Sequence, residues 1–399
     1  MPNNTLTTNE VLTRGVTEVL PSKKSLEKLM GQKKIRLYLG IDPTGALLTL
    51  GHSVVLRKLQ QFADLGHEVI LLIGNGTVKI GDPTGKDTTR PELTNEEIEN
   101  NFKDWKKQAS KILDFDKIEI RRNGDWLDQL TYVDLIKIMA KTTVQQLMER
   151  DMFQERLKKG QPIHAHEIIY PLMQGYDSVH MDVDLEIGGN DQTFNMMMGR
   201  TLQKTYNNHE KWVLTTPIID GLDGRKMSKS YGNFVALTEN PIDMYGKLMK
   251  IGDGMIIDYF TILTDVPITK IEKMEKAMKA GENPMTFKKK LAFTITKMYH
   301  DGEEAKKAEQ HFQTVIQKKG LPAKKPIHLI SAASTTIMSL TAGARKELSG
   351  SEIRRRIVQG AVSIDGEKIT DPNQQITLKS GSILKTGKRD FHKIKVEEN

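Results

Sequence analysis

The sequence predicts an α/β protein: a parallel-sheet catalytic domain carrying a helical insertion, then a helical region, then a small α+β module at the C-terminus. Three observations lead there. An apolar stretch from Ile35 to Gly40 is followed by a turn, a helical run and a second apolar stretch from Val69 to Ile73. That strand, helix, strand order is a βαβ unit, whose right-handed crossover makes the two strands parallel. At 399 residues the chain exceeds what one hydrophobic core usually serves. Its last part, residues 326–399, also has a pattern of its own.

The first strand runs into Asp42-Pro43-Thr44-Gly45, a turn signal, and Gly51-His52 opens a helical stretch to Leu65. Open α/β sheets bind ligands beyond the carboxyl ends of their strands, so the turns after Gly40 and Ile73 are where a site is expected. From Glu96 to Met181 the pattern is mainly helical, with a short strand from Lys117 to Arg121 and a break at Gly160-Gln161-Pro162. The sheet resumes at Leu185 to Ile187 and at Trp212 to Ile219. After Lys226 the chain is helical through Lys318, punctuated by Pro241, Pro267 and Pro284. A lysine-rich stretch with two prolines, Lys318 to Lys325, reads as a linker. The tail holds a helix near Glu352 to Gln359 and strands flanking a hairpin-like turn at Asp365-Gly366. The expected division is residues 1–223, 224–325 and 326–399, with no internal repeat and no low-complexity tract.

Composition narrows the function classes. With 38% hydrophobic and 28% charged residues, no apolar run approaches the ~18 residues that would mark a membrane span. The polar start, MPNNTLTTNEVLTRGV, lacks the basic-then-apolar order of a secretory signal, so a cytoplasmic location is expected. The absence of cysteine excludes disulfides, thiolate nucleophiles and cysteine-bound metal clusters. A net charge of +8 favours a polyanionic partner, although a solvated lysine-rich surface gives the same number.

Two glycine-rich segments fail as phosphate motifs. Gly74-Asn75-Gly76 has Lys79 where a dinucleotide fingerprint needs its third glycine, and Gly81 and Gly85 stand at the wrong spacing before Lys86 for a P-loop. His164, His166 and Glu167 lack the spacing of a zinc helix, with the histidines two apart and expected on different faces, so no protein metal site is expected. The run Lys226-Met227-Ser228-Lys229-Ser230 is different. Two lysines three apart in a glycine-flanked loop can converge on one polyphosphate and stabilise the charge that develops as pyrophosphate leaves. A lone basic loop would be only solvated surface.

That pentapeptide is similar to the lysine loop of class I aminoacyl-tRNA synthetases in every position. The other half of the signature follows the first strand, where Leu50-Gly51-His52 resembles the family's HIGH element with Thr49 in place of the first histidine. Threonine can donate one neutral hydrogen bond to a phosphate but cannot become cationic. Tyr38 to Thr44, Gly81 to Lys86 with Arg90, Tyr170 to Asp177 and Gly188 to Gln192 all resemble segments of bacterial tyrosyl-tRNA synthetases rather than the tryptophanyl enzymes. Arg14-Gly15-Val16 and Asn123-Gly124-Asp125-Trp126 extend the likeness over nearly the whole chain. The resemblance implies a Rossmann-like catalytic domain.

Tyr170, Gln174 and Asp177 fall at i, i+4 and i+7, one stripe of a helix. Such a stripe is more often core, but Gln and Asp are poor core residues without partners, so a polar pocket is favoured. The resemblance implies that Asp177 and Tyr38 bind the phenol of tyrosine while Tyr170, Gln174 and Asp82 hold its ammonium. A pocket built to pair a hydroxyl rejects the analogue lacking it, a rule for which tyrosine-activating synthetases are the established instance, so no editing domain is expected. For ATP, the resemblance places Asp42, Gly51, Gly189 and Asp191 around ribose and adenine. Thr44, Thr49, His52, Lys226, Met227 and Lys229 fall near the phosphates, Lys86 and Arg90 on the same cationic side, and Gln192 by the reacting carboxylate. Taken singly, Asp42-Pro43-Thr44 could be a plain turn, and Lys86 and Arg90 could pair with surface acids. The implied chemistry is attack of the tyrosine carboxylate on the α-phosphate, with Mg2+ accompanying ATP, then transfer to the 3′ end of tRNA(Tyr).

The tail Gly350 to Val362, followed by Ile364 to Lys368, resembles an S4 RNA-binding domain. Arg354, Arg355 and Lys368 are its expected phosphate contacts, against the plainer reading of a solvated helix with one salt bridge to Glu352. The resemblance further implies a homodimer, with the interface sought between Asp134 and Met152. Two competing functions remain at this level: activation of tryptophan, and an RNA-binding paralogue without catalysis.

Overall fold

The structure, a computed structural model, describes residues 6–84, 93–317, 327–330, 334–387 and 390–396. They fall into two compact units, Met1–Asp301 and Gly302–Asn399. The expected linker, Lys318 to Lys325, lies outside the described residues, as do Lys86 and Arg90.

The first unit is built on a six-stranded sheet of β1 (Glu18–Leu20), β2 (Arg36–Ile41), β3 (Glu68–Ile73), β4 (Ile118–Arg122), β5 (Leu185–Gly189) and β6 (Trp212–Thr216). Their order is β1-β6-β5-β2-β3-β4, parallel throughout except that β1 runs antiparallel to β6. The chain leaves β2 toward β3 and β4, then returns to β2's other side for β5 and β6. A crevice therefore opens between the carboxyl ends of β2 and β5, where the strand order reverses. Both strands read as near-continuous apolar runs because the sheet is covered on its two faces. Leu37, Leu39, Leu185 and Ile187 are all buried.

Among the differences between expected and observed strands, three have a clear physical reason or extent. β6 stops at Thr216 because Pro217 has no N–H for the ladder. The strand expected at Lys117 to Arg121 runs one residue later. β1 is absent from the sequence reading, since three residues on a sheet edge carry no usable periodicity. The chain is expected to be helical from Lys226, but the first helix after the lysine loop starts at Pro241; Pro241 and Pro284 each occupy the first helical position, with Asn240 and Asn283 as side-chain caps.

The helix Leu50–Asp64 follows β2, and the long helix Ala165–Met181 precedes β5. Each therefore delivers an end or a face to the crevice. Ala165–Met181 packs along Thr193–Asn207, and Gly175 and Gly199 allow the two backbones to approach closely. His164 precedes its helix rather than lying within it, which brings its ring to 5.7 Å from that of His166. No group of three metal-ligating side chains forms among the described residues.

In the second unit, β7 (Ile327–Ile330), β9 (Val362–Ile364), β10 (Glu367–Ile369), β12 (Ile383–Lys385) and β13 (Phe391–Val396) form a sheet in the order β10-β9-β12-β13-β7. A two-stranded pair joins β8 (Ser334–Thr336) and β11 (Gln375–Thr377). β9 and β10 make the expected hairpin, with Asp365 and Gly366 at φ 48° and 92°. Positive φ at both central residues is what a type I′ turn requires. The helix Gly350–Val358 buries Ile353 and Ile357 against Val362, Ile369 and Leu384. Arg354 and Arg355 are left exposed on its outer side.

Candidate active site

At the crevice between β2 and β5 lies a cavity of about 210 Å³ whose walls include Tyr38, Asp82, Tyr170, Gln174 and Asp177. These are the five residues expected to hold an amino acid. The helical stripe is therefore a pocket wall rather than core. Asp42, Thr44 and Gln192, expected on the nucleotide and reaction side, line the same cavity.

One end is buried and holds Asp177 and Tyr38, the pair expected to meet a phenol. Asp177 accepts from Trp126 Nε1 at 2.9 Å through Oδ1 and from Asn123 Nδ2 at 3.0 Å through Oδ2. Burial pushes its pKa well up, opposed by those two hydrogen bonds. Tyr38 shares a 2.9 Å hydrogen bond with Ser178 Oγ. Burial also raises the Tyr38 phenol's pKa, so it stays a neutral donor.

The other wall is rich in carboxylates. Tyr170 donates to Asp42 Oδ2 at 2.9 Å, and Thr77 donates to Asp42 Oδ1 at 2.7 Å. A side chain on Gly74 would place its Cβ 1.9 Å from that Oδ1, so only glycine admits the contact. Asp82 accepts from Gln192 Nε2 at 2.8 Å and from the Thr84 hydroxyl at 2.6 Å, with Arg150 Nη2 at 3.8 Å. Gln174 Nε2 donates to Glu186 Oε1 at 2.9 Å. Asp42 and Asp82 together favour a ligand that brings a cationic end, such as an α-ammonium.

The side expected to face the phosphates is assembled from two sequence-distant segments that pair with each other. Leu50 N donates to Val235 O at 2.9 Å, Leu237 N donates to Leu48 O at 2.9 Å, and Thr49 bridges Ala236. The start of the Leu50–Asp64 helix is thereby fastened to the chain that leaves the lysine loop. Thr49 is buried, and its hydroxyl meets His52 Nδ1 at 2.8 Å while its backbone N–H donates to the same nitrogen at 3.2 Å. A backbone N–H can only donate, so Nδ1 is the acceptor and the ring proton sits on Nε2. Desolvation, then the Lys229 ammonium, lowers the His52 pKa to about 4. His52 is therefore a neutral Nε2–H donor, and Thr49 bears on the site through it.

Lys226 pairs with Asp191 Oδ2 at 3.2 Å, and the Lys229 ammonium lies 3.8 Å from where a Cβ on Gly45 would be. The two lysines thus reach the loop after β5 and the loop after β2. Met227 is buried and anchors the loop by its N–H to Ile219 O at 3.0 Å. Gly51 and Gly189 lie at the ends of the same two elements.

Several site residues escaped the sequence reading. Asn233 is buried, accepts from Ser228 N at 2.8 Å, and donates to Asp223 Oδ1 at 2.7 Å and Lys226 O at 3.1 Å. It holds the two ends of the lysine loop together. The Asn233 bond to Asp223, followed by Arg225, depresses the Asp223 pKa to about 2. Glu186 did leave a signal, as a charged residue within an otherwise apolar strand. Ser178 lies four residues beyond Gln174, on the same stripe.

Comparison with known proteins agrees with this geometry. The family model for tRNA synthetases class I (W and Y) matches residues 30–317, and the S4 domain model matches residues 344–380. A tyrosine-tRNA ligase of Thermotoga maritima is 45% identical over 387 residues, covering 96% of this chain and 96% of the relative. That of Symbiobacterium thermophilum is 44% identical over 395 residues, again covering 96% of each. The crystal structure of tyrosyl-tRNA synthetase complexed with L-tyrosine from Archaeoglobus fulgidus shares the fold, with a TM-score of 0.61 at 24% identity over 76% of this chain and 98% of that one. A chain that matches curated tyrosine-tRNA ligases over 96% of its length, and in which the chain leaving the lysine loop pairs with Thr49 at the other half of the class I signature, belongs to the class I tRNA synthetases of the tyrosine type.

Proposed function

We infer that the chain is a tyrosine-tRNA ligase that activates L-tyrosine with ATP and transfers the tyrosyl group to the 3′ end of tRNA(Tyr). The observation that carries the reading is a cavity with a buried, doubly hydrogen-bonded carboxylate at Asp177 and a wall of carboxylates around Asp82 and Gln174. A ligand with a hydroxyl at one end and an ammonium at the other satisfies both. Tryptophan would bring no hydroxyl oxygen to meet Tyr38.

In this reading Tyr38 and Asp177 hold the phenol, and Tyr170, Gln174 and Asp82 hold the ammonium. Gln192, already bonded to Asp82, faces the tyrosine carboxylate, whose oxygen attacks the α-phosphate in line. Asp42, Gly51, Gly189 and Asp191 receive the adenosine, with Met227 backing the loop. Thr44, His52, Lys226 and Lys229 lie along the phosphates, Thr49 orients His52, and Lys86 and Arg90 join them from the same side. Their part is electrostatic: they stabilise pyrophosphate as it leaves, with no covalent enzyme intermediate. Mg2+ would come as ATP's companion, neutralising phosphate charge.

For RNA, the exposed Arg354, Arg355 and Lys368 are the phosphate contacts, with Arg356 turned to Glu352 at 3.1 Å instead. For the second subunit, the helices Tyr132–Met139 and Val144–Met148 leave Tyr132, Val133, Ile136, Met139 and Val144 exposed. An apolar face of this kind is what a homodimer would cover. The division into residues 1–223, 224–325 and 326–399 assigns catalysis, a helical anticodon-side region and the S4 module. No described helix is long and apolar enough to cross a membrane, and the cytoplasm, where tRNA is charged, is the location assigned.

Amino-acid-dependent exchange of pyrophosphate into ATP, run with tyrosine, tryptophan and phenylalanine in parallel, tests the assignment. Exchange is expected with tyrosine alone. Exchange with tryptophan and not tyrosine, or RNA binding with no exchange at all, overturns it.

A further inference from the structure

Behind the tyrosine pocket lies a lysine that no part of the reaction uses. Lys211 is fully buried, and its ammonium pairs with Glu186, donates to Ser178 Oγ at 2.7 Å and donates to Met196 O at 3.1 Å. Glu186 is equally buried, and its other oxygen takes the Gln174 amide. Ser178 in turn meets Tyr38. One buried ion pair therefore touches both ends of the substrate pocket: the ammonium side through Glu186 and Gln174, the phenol side through Ser178 and Tyr38.

The direction of these hydrogen bonds follows from the groups themselves. A carboxylate only accepts, so Gln174 must offer Glu186 its NH2, which leaves its carbonyl oxygen to accept from a ligand ammonium. An ammonium only donates, so Ser178 Oγ accepts from Lys211 and has its own proton available for Tyr38. The Tyr38 proton is then left for the ligand's phenol oxygen, and the ligand's proton goes to Asp177. We propose that Lys211 is a positioning residue for tyrosine recognition, fixing the donor direction of Tyr38 and the amide orientation of Gln174 at once. The proposal rests on tyrosine activation by this site.

A glycine on the neighbouring helix makes room for the ammonium. A Cβ on Gly199 would stand 2.5 Å from Lys211 Nζ and 2.8 Å from Ser178 Oγ. Alanine there displaces the ammonium without altering any charge, and gives a second handle if removing Lys211 unfolds the chain. A buried carboxylate left without its partner is strongly disfavoured, so loss of the ammonium reorganises Glu186 and Gln174 together.

The test measures exchange kinetics on the full-length protein for Lys211→Met, Gly199→Ala and the double variant Lys211→Met with Glu186→Gln. Lys211→Met and Gly199→Ala are each expected to lower the preference for tyrosine over phenylalanine by about tenfold or more, with the ATP KM within about twofold of its starting value. The double variant removes the orphaned carboxylate but not the fault at Ser178. It should recover tyrosine KM in part while its preference for tyrosine stays low. A purely structural pair would lower thermal stability and leave the tyrosine to phenylalanine ratio unchanged. That unchanged ratio in whichever of Lys211→Met or Gly199→Ala folds overturns the proposal, as does full recovery of the ratio in the double variant. Failure of the unmodified protein to exchange with tyrosine would instead overturn the functional assignment.

Discussion

The indole Nε1 of Trp126 donates to Asp177 Oδ1 at 2.9 Å, and both side chains are buried. The bond joins a residue after β4 to one on the helix Ala165–Met181, and with Asn123 it opposes the rise that burial imposes on the Asp177 pKa.

Stability should reveal the cost of that carboxylate. Asp177 has a raised folded pKa, so the unfolded chain ionises first as pH rises. Its contribution is favourable below the unfolded carboxylate range, about pH 4, and is lost as pH climbs toward the folded value. Urea unfolding of the native protein and of Asp177→Asn should show the variant gaining relative stability between pH 4 and 7. A pH-independent difference would contradict a raised pKa at this site.

His52 should titrate far below an ordinary histidine. With its folded pKa lowered to about 4, the stability it contributes is full above the unfolded value and is lost as pH falls toward 4. Its ring-proton NMR signal should show no midpoint between pH 6 and 8. A midpoint at or above 6.5 would mean that His52 acts as a cation, not as a neutral donor.

Lys229→Met should cut the adenylation rate by about 10²–10³, the ~3–4 kcal/mol typical of losing one transition-state donor, without raising tyrosine KM. Asn233→Ala should act on the same step indirectly, because it frees both ends of the lysine loop. About 1–3 kcal/mol of loop stability is at stake, visible as faster proteolysis between residues 223 and 233. Equal loss of tyrosine binding in either variant would argue against a phosphate-side role.

Ile136→Glu places a charge on the exposed apolar face of Tyr132–Met139. Sedimentation velocity should then report monomer where the unmodified chain is expected to sediment as a dimer. A dimer that persists in the variant would move the interface elsewhere.

Arg354→Ala combined with Arg355→Ala should weaken tRNA binding and flatten its salt dependence, the logarithmic slope falling by roughly 0.7–0.9 for each phosphate that is no longer neutralised. Pyrophosphate exchange, which needs no RNA, should be unchanged. An unaltered salt slope would return these arginines to a solvated surface.

The sequence alone determined the chemistry-bearing parts and their order. The βαβ start, the lysine loop, the Tyr170, Gln174, Asp177 stripe and the Asp365-Gly366 hairpin are all local patterns, written within one element or one turn, and a 3.6-residue or two-residue period is enough to read them. The tertiary structure decided what those parts touch. Thr49 reads as a substitute phosphate donor, and the structure adds that its hydroxyl lies 2.8 Å from His52 Nδ1. Asp42 reads as a nucleotide residue, and the structure adds that Tyr170 donates to it. Lys211 carries no local signal of its role. Its partners lie many residues away, and only packing β5, β6 and the helix Ala165–Met181 together brings a buried ammonium between Glu186 and Ser178. Long-range pairing of buried polar groups is set by three-dimensional proximity and desolvation, and no period along the chain encodes it.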